Sequence, residues 1–316
     1  MTIATWNVEN LFLAGEADGP KDEAAYQAKL ASLADTVNRL APDLLGLQEV
    51  GNPEALAGLV DLLDGQWHTA LSTHPDGRRI RVGFLSRKPL TVVADVTAFP
   101  ADFAPLQTQD TGVPLNAMGR GGLAVRLTPK TGHTLLAAVC HLKSKLLTYP
   151  GNRHSPRDEG ERARYAAYAL WRRGAEAATM RALADELLDG DGRTRDVVVM
   201  GDLNDTPQAA TTQILYGPPG SQIGTGGFTR PDNGDAARLW NLAPLIPEKQ
   251  RFSRVFEGQG ELIDHLLVSH ALLARVDTDQ VFTGADGPLP SVNGQPAERR
   301  GAPGSDHAPV VARLDY

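Results

Sequence analysis

Six segments of the chain set side chains that carry oxygen or imidazole against an apolar run, most at its end, Asp264 within one and Asp306 and His307 just before one. "TWNVEN" supplies Asn7 and Glu9, "LLGLQEV" Gln48 and Glu49, "VCHLKSK" His141, "VVVMGDLND" Asp202 and Asn204, "ELIDHLL" Asp264, and "GSDHAPVV" Asp306 and His307. One such ending is ordinary, because Asp, Asn and Pro form turns. Six of them, all rich in carboxylate, amide and imidazole, are more than turn formation asks for. Carboxylate and amide oxygens without a cysteine partner favour a hard cation such as magnesium, manganese or calcium. Zinc stays open, since two histidines with several acids also suit it. A hard cation held by few carboxylates keeps positions for water and substrate phosphate, where it neutralises charge on phosphoryl oxygens. The donor set therefore points to a phosphoester substrate.

The elements that must position these groups can be read from apolar spacing. "TIATWNV" reads as a first strand, and Leu30, Leu33, Val37 and Leu40 recur at helical spacing between Ala24 and Leu40, with Pro42 as a stop. "DLLGLQEV" reads as a buried strand and Pro53 to Leu63 as a helix. "WHTALS", "VGFLSR", "LTVVADV", "GLAVRLT" and "TLLAAVCHL" read as successive strands. A long helix is expected from Glu159 to Leu188, then the strand "DVVVMGD" and an irregular stretch from Tyr216 to Asp235. "RFSRVF", "ELIDHLLVS" and "APVVARL" close the chain as strands. Many strands with few helices between them suit two packed sheets covered by helices better than one parallel sheet. No linker divides the chain, so residues 1–316 read as a single domain. Pro100 to Gly122, Tyr149 to Glu159 and Gly284 to Ser305 read as long surface loops where substrate choice would reside.

Composition bounds the classes. The chain has 316 residues, 41% hydrophobic and 22% charged, which fits a globular protein and gives no sign of intrinsic disorder. A net charge of -7 speaks against a general coat for polyanions, which needs many Lys and Arg on phosphates. Local basic clusters occur at Arg78, Arg79 and Arg81, at Lys143 and Lys145, at Arg162, Arg164, Arg172 and Arg173, and at Arg299 and Arg300. The single cysteine, Cys140, permits no internal disulfide. The opening "MTIATWNVEN" has no basic and apolar leader, and no apolar run reaches membrane-spanning length, so a cytoplasmic location without membrane contact is expected, or secretion if a leader was trimmed.

Taken in order, "TWNVEN", "LQEV", "HLKSK", "GDLNDTP", "LIDHLLVS" and "GSDHAPV" resemble the endonuclease/exonuclease/phosphatase superfamily, the deoxyribonuclease-I-like phosphohydrolases, from residue 3 to residue 311. "HLKSK", "RRGAEA" and "RFSRVFEGQGELIDHLLVS" resemble its bacterial nuclease-like branch most. The resemblance implies an α/β fold, a four-layer αββα sandwich of two packed mixed sheets with the site at one edge. It implies a hydrolase that uses Mg2+, with Mn2+ or Ca2+ as alternatives. In this reading Glu49 is the principal metal ligand, Asn7 lies beside it, Glu9 is on the metal or behind it, and Asp306 is a further ligand. Asp202 orients or deprotonates the attacking water and Asn204 bonds the phosphoryl group. His307, oriented by Asp264, stabilises transition-state charge or acts as base, and His141 contacts the scissile phosphate or assists the leaving oxygen. The choice of base between Asp202 and His307 stays open.

The substrate implied is DNA or RNA, cleaved by a nuclease or other phosphodiesterase. A phosphatase or phosphodiesterase for a small molecule or lipid headgroup is the alternative. A catalytically silent binding protein is the remote one, opposed by the complete set of site residues. Oligomeric state is not legible. Among neighbouring groups, Cys140 and His265 should face away from His141 and Asp264 by strand alternation, leaving both structural. Arg120 and Lys143 are candidate substrate contacts, Lys143 because it lies two after His141. "GTGGF" lacks the signature of a phosphate loop and reads as an ordinary loop. Asp205, Thr206 and Pro207 read as turn residues.

Overall fold

The stretch "DVVVMGD" forms a strand in which every residue from Asp196 to Asp202 is buried. That is the behaviour of a strand in mid-sheet with both faces covered, and the rest of the architecture shows what covers it. The structure is a computed structural model that describes residues 1–130, 132–151, 153–285 and 287–316.

In chain order the strands are β1 Thr2–Leu11, β2 Leu44–Val50, β3 His68–Leu71, β4 Arg81–Ser86, β5 Thr91–Ala98, β6 Ala117–Leu127, β7 Leu135–His141 and β8 Asp196–Asp202. They continue with β9 Trp240–Asn241, β10 Arg254–Phe256, β11 Gln259–Glu261, β12 Asp264–Val268, β13 Val276–Thr283, β14 Ser291–Val292 and β15 Val310–Leu314. One six-stranded sheet runs β13-β15-β1-β2-β4-β3 and the other β5-β6-β7-β8-β12-β9, with a small β11-β10-β14 sheet beside them. Both large sheets are mixed: β1 pairs parallel to β2 but antiparallel to β15, and β8 pairs parallel to β7 but antiparallel to β12.

The two sheets meet through one core, in which Ile3, Leu44 and Phe84 of the first pack with Val125, Val139 and Met200 of the second. Gly46 lets them approach, because a Cβ there would lie 2.6 Å from the Met200 sulfur. Helices α1 Glu23–Leu40 and α2 Pro53–Val60 cover the outer face of the first sheet through Tyr26, Leu30, Leu33, Leu56 and Leu59. Helix α3 Glu159–Leu188 covers the second through Ala177, Met180, Leu183 and Leu187, with the short α4 Ala210–Tyr216 beside it. This is the four-layer αββα sandwich of two mixed sheets that the family resemblance implied. Among the described residues no helix is long and apolar enough to cross a membrane.

Several boundaries differ from expectation. Strand β6 begins at Ala117, so the loop expected to reach Gly122 ends at Asn116. The glycines of "MGRGG" mark close approach rather than a turn: a Cβ on Gly119 would strike Arg172, and one on Gly121 would strike Ser72. Helix α2 ends at Val60 rather than Leu63. Strand β13 gave no apolar alternation because Asp277 to Gln280 bulge outward at a sheet edge, where the register with β15 shifts between Val276 and Val281. Helix α4 was also unanticipated, and its start carries no side-chain cap to announce it.

Candidate active site

Strands β1 and β2 run parallel, with Asn7 opposite Gln48, and then slip register so that Leu11 faces Val50. At the slip Glu9, Asn10 and Glu49 take left-handed backbone, with φ of 48, 52 and 64°. Such a conformation costs a non-glycine residue on the order of 1 kcal/mol and persists only where surroundings enforce it. Here the enforcing contacts are local. Glu49 accepts the Asn10 N–H at 2.9 Å and the Asn7 amide at 3.3 Å, while the Glu9 N–H donates to Asn7 Oδ1 at 3.0 Å. Gln48 turns the other way, into the core, and donates to Thr5 Oγ1 at 3.0 Å.

The second sheet meets this corner through three strand ends. Asp202, the last residue of β8, lies opposite His141 of β7 and Asp264 of β12. Its Oδ2 accepts the Asn7 amide at 3.0 Å and lies 3.3 Å from His141 Nε2, while Oδ1 accepts the Asn204 N–H at 2.8 Å. Asn7 thus joins an acid of each sheet through one amide group. Asn204 is itself left-handed, with φ 53°, and donates to the Leu142 carbonyl at 3.0 Å.

His307 enters just before β15. Ser305 Oγ donates to the Asn7 carbonyl at 2.6 Å and accepts the His307 N–H at 3.0 Å, and Trp6 donates to the His307 carbonyl at 2.7 Å. Its Nδ1 lies 2.7 Å from Asp264 Oδ2, both side chains being buried. Ligand atoms of Asp202, Asp264 and His307 all lie within 4.8 Å of one another. Asp264 Oδ1 is buried and has no hydrogen-bond partner among the described residues.

Protonation follows from these contacts. Burial, then the Asp264 charge, pushes Asp202 up to about 7, against the pull of His307 and the Asn7 amide. Burial acts to lower His307, but Asp264, Asp306 and Asp202 outweigh it and lift the imidazole to about 10. His141 falls well below its ordinary value through burial and the Arg120 charge. Arg120 Nη1 lies 2.5 Å from His141 Nδ1. A guanidinium only donates, so Nδ1 accepts and the ring proton sits on Nε2, aimed at Asp202.

The oxygen-rich set fits a divalent ion on the chemistry of its donors. Asp202 and Asp264, including its unpartnered oxygen, come together with His307, and Glu49 is linked to them through the Asn7 amide nitrogen, while Asn7 Oδ1 accepts the Glu9 N–H and Asp306 Oδ2 lies 3.7 Å from Arg254 Nε. Glu9 is differently placed: both its oxygens receive the Arg299 guanidinium at 2.7 Å, and Oε2 also accepts the Asp306 N–H at 3.0 Å.

Arg120 reaches the cluster, with Asp76 bound to its other nitrogen at 2.9 Å. Lys143 lies within the electric fields of His141 and Arg120, but its ammonium is engaged elsewhere. Strand β7 ends at His141, so alternation no longer governs Lys143, and its ammonium bends to the Ser144 and Leu146 carbonyls at 2.9 and 2.8 Å. Cys140 is buried and its thiol is pushed up by burial. His265 faces away, its Nε2 2.9 Å from the Asp205 carbonyl. Asp205 does more than turn the chain: it accepts from Thr211 at 2.7 Å and pairs with the buried Arg173 at 3.1 Å.

Sequence reasoning passed over the supports. Glu176, buried on α3, accepts the Gly119 N–H at 3.1 Å and the Lys143 N–H at 2.6 Å, so one carboxylate ties β6 before Arg120 to the turn after His141. Lys29 is buried and donates to the Gly304 carbonyl at 2.7 Å, behind Asp306. A signal existed for Lys29, which sits on the core-facing stripe of α1 with Tyr26, Leu30 and Leu33. Ser305 carried none, and Arg299 stood out only as half of a basic pair with Arg300.

The profile of the Endonuclease/Exonuclease/phosphatase family matches residues 4–307, and the chain belongs to that family, whose members hydrolyse phosphoesters with a divalent metal. No curated protein shows significant similarity to it. Truncated TDP2 from Caenorhabditis elegans is similar at a TM-score of 0.56 and 16% identity, over 100% of this chain and 97% of that one. A mannosyl-6-phosphatase from Bacteroides thetaiotaomicron gives 0.55 and 15% over 100% of both chains. The human Nocturnin catalytic domain with bound sulfate anion gives 0.51 and 14%, over 99% of this chain and 93% of that one. At these identities the likeness is one of fold.

Proposed function

We propose that residues 1–316 act as one catalytic unit, a magnesium-dependent phosphodiesterase that cleaves DNA or RNA by in-line attack of water. The observation that carries the reading is the Asn7 amide, which links Glu49 of one sheet to Asp202 of the other at 3.3 and 3.0 Å. It brings a metal-type carboxylate and a base-type carboxylate to one point.

Glu49, Asn7 and Asp306 would hold the ion, with manganese or calcium as substitutes. When bound, it neutralises charge developing on the phosphoryl oxygens. Asp202, held near 7, is matched to take the proton of the attacking water at neutral pH. His307, protonated in that range and held by Asp264, is a fixed cation for the transition-state oxygens. The two roles separate because burial beside Asp264 raises the acid, while the same carboxylate keeps the imidazole charged. Asn204 spends one amide hydrogen on Leu142 and keeps the other for the phosphoryl group. His141 and Arg120 lie on the Asp202 side, suited to contact the phosphate or leaving oxygen.

One observation favours a small phosphoester instead. Cations near the site are already matched by carboxylates: Arg78 by Asp18 at 3.2 Å, Arg79 by Glu16 at 2.9 Å, and Lys145 by Glu261 at 3.3 Å. Tracking a polyanion draws on free cations, whereas a single phosphate does not. The fold shared with a mannosyl-6-phosphatase agrees with that second reading.

Plasmid nicking, set beside phosphate release from small phosphomonoesters with magnesium, manganese and calcium in turn, separates the two. Nicking that stops on chelation and returns with magnesium is expected. Phosphate release without nicking would replace the nuclease reading by the second, and activity that survives complete chelation would overturn the metal requirement.

A further inference from the structure

Glu9 and Glu49 project from one backbone slip, yet their partners differ. Glu49 is held by one backbone N–H and one amide, so its carboxylate keeps lone pairs for a cation. Glu9 meets the Arg299 guanidinium through two parallel hydrogen bonds of 2.7 Å, a fork-on-fork pairing in which Nε meets Oε1 and Nη2 meets Oε2. Bidentate pairs of this kind are among the strongest charge-assisted contacts. Both side chains are mostly buried, at 12 and 18% exposure, which limits screening by solvent.

A second internal cation stands behind the first. Lys29 points its buried ammonium at the Gly304 carbonyl, within the fields of Glu9, Asp306 and Glu49. At this corner Glu9 pairs with Arg299, Asp306 lies 3.7 Å from Arg254 Nε, and Lys29 stands behind them, so Glu49 alone of the three carboxylates has no Lys or Arg ion pair among the described residues. One carboxylate left without a protein cation suits one divalent ion and gives a second little to bind.

We propose that Arg299 occupies, with its guanidinium, the place at Glu9 where a second divalent cation would bind, and so limits the protein to one ion, held by Glu49 and Asn7. This rests on the metal site proposed above. Arg299 lies in the 3-10 turn Pro296–Arg299, on the segment that leads through Gly304 and Ser305 to Asp306. The pair therefore also fastens that segment over β1. Glu9 becomes a positioning residue, holding the Asp306 N–H at 3.0 Å, and not a ligand.

The test is binding of Mn2+ to the full chain, with free Mn2+ followed by electron paramagnetic resonance. The wild type is expected to take up one Mn2+ per chain. Arg299→Met, which keeps length but removes every donor, is expected to take up a second at Glu9. An unchanged count in a folded Arg299→Met, or two ions in the wild type, would overturn the inference. Glu9→Gln covers the case in which Arg299→Met fails to fold: it should keep one ion with affinity within about threefold, and a loss of tenfold or more would make Glu9 a ligand and sink the idea. Wild type that binds no Mn2+ overturns both this inference and the metal site beneath it.

Discussion

Strand β8 begins and ends in a buried aspartate, and the two ends treat that charge in opposite ways. Asp196 meets Arg275 at 3.1 Å and the Tyr316 hydroxyl at 3.1 Å, and Arg275 lies over the Tyr316 ring. The charge is cancelled by a guanidinium and the group has a structural task. Asp202, at the other end of the strand, has no Lys or Arg ion pair among the described residues. Its contacts are an amide, a backbone N–H and a histidine, and it faces a second carboxylate. A buried charge matched by arginine is inert, while one matched by dipoles, a like charge and an imidazole keeps chemistry in reserve. The difference lies in the partners that neighbouring elements bring, since the strand and the residue type are the same.

The site end is where the largest effect is expected. His307→Ala should lower turnover roughly 100-fold to 10,000-fold, the usual scale for a positioned acid-base or charge-stabilising group, with the folded state retained by circular dichroism. Steady-state rates on whichever phosphoester proves active would show it. Turnover within a factor of two of wild type would remove His307 from the mechanism and blunt the contrast between the two ends.

At the opposite end the effect should fall on stability alone. Asp196→Ala leaves Arg275 and the Tyr316 hydroxyl without their acceptor, and should cost about 2 kcal/mol of unfolding free energy, the range for hydrogen bonds to a charged group. Turnover should stay within about twofold. Denaturant unfolding with a rate measurement on the same sample checks both. A loss of turnover without a loss of stability would show that the two ends are coupled.

This contrast explains what could be read in advance. The runs that end in Asn7, Glu49 and Asp202, and those that follow Asp264 and His307, were visible because strands reveal themselves by apolar runs and the site hangs on their ends. Helix α3, from Glu159 to Leu188, was legible to the residue, since Asp158 caps it and Gly190 follows it. Asp196 looked no different from Asp202, because the arginine that cancels it lies 79 residues away. The left-handed turns at Glu9, Glu49 and Asn204 were invisible, because no glycine marked them. Arg299 read as one of a basic pair at the surface, and only the folded chain sets it against Glu9, 290 positions earlier. Lys143 was misplaced because alternation was extended past the end of β7.

The smallest effect is expected from Lys143, which lies beyond the site end of the same sheet. Burial, then the charges of Arg172 and Arg120, bring its ammonium from 10.5 down to about 8, with Glu176 opposing. Because the folded value is below the unfolded one, the charged form is penalised only in the folded state. The penalty is full below about pH 8 and fades as pH rises toward 10.5, so this group makes stability climb across that window. Lys143→Met removes the penalty at the expense of contacts to the Ser144 and Leu146 carbonyls. The variant should therefore exceed wild type by about 1 kcal/mol at pH 7.5, and the gap should close by pH 10.5 in denaturant melts taken at several pH values. Parallel curves would mean that the ammonium is solvated, and that the site end is less desolvated around Lys143 than around Asp202.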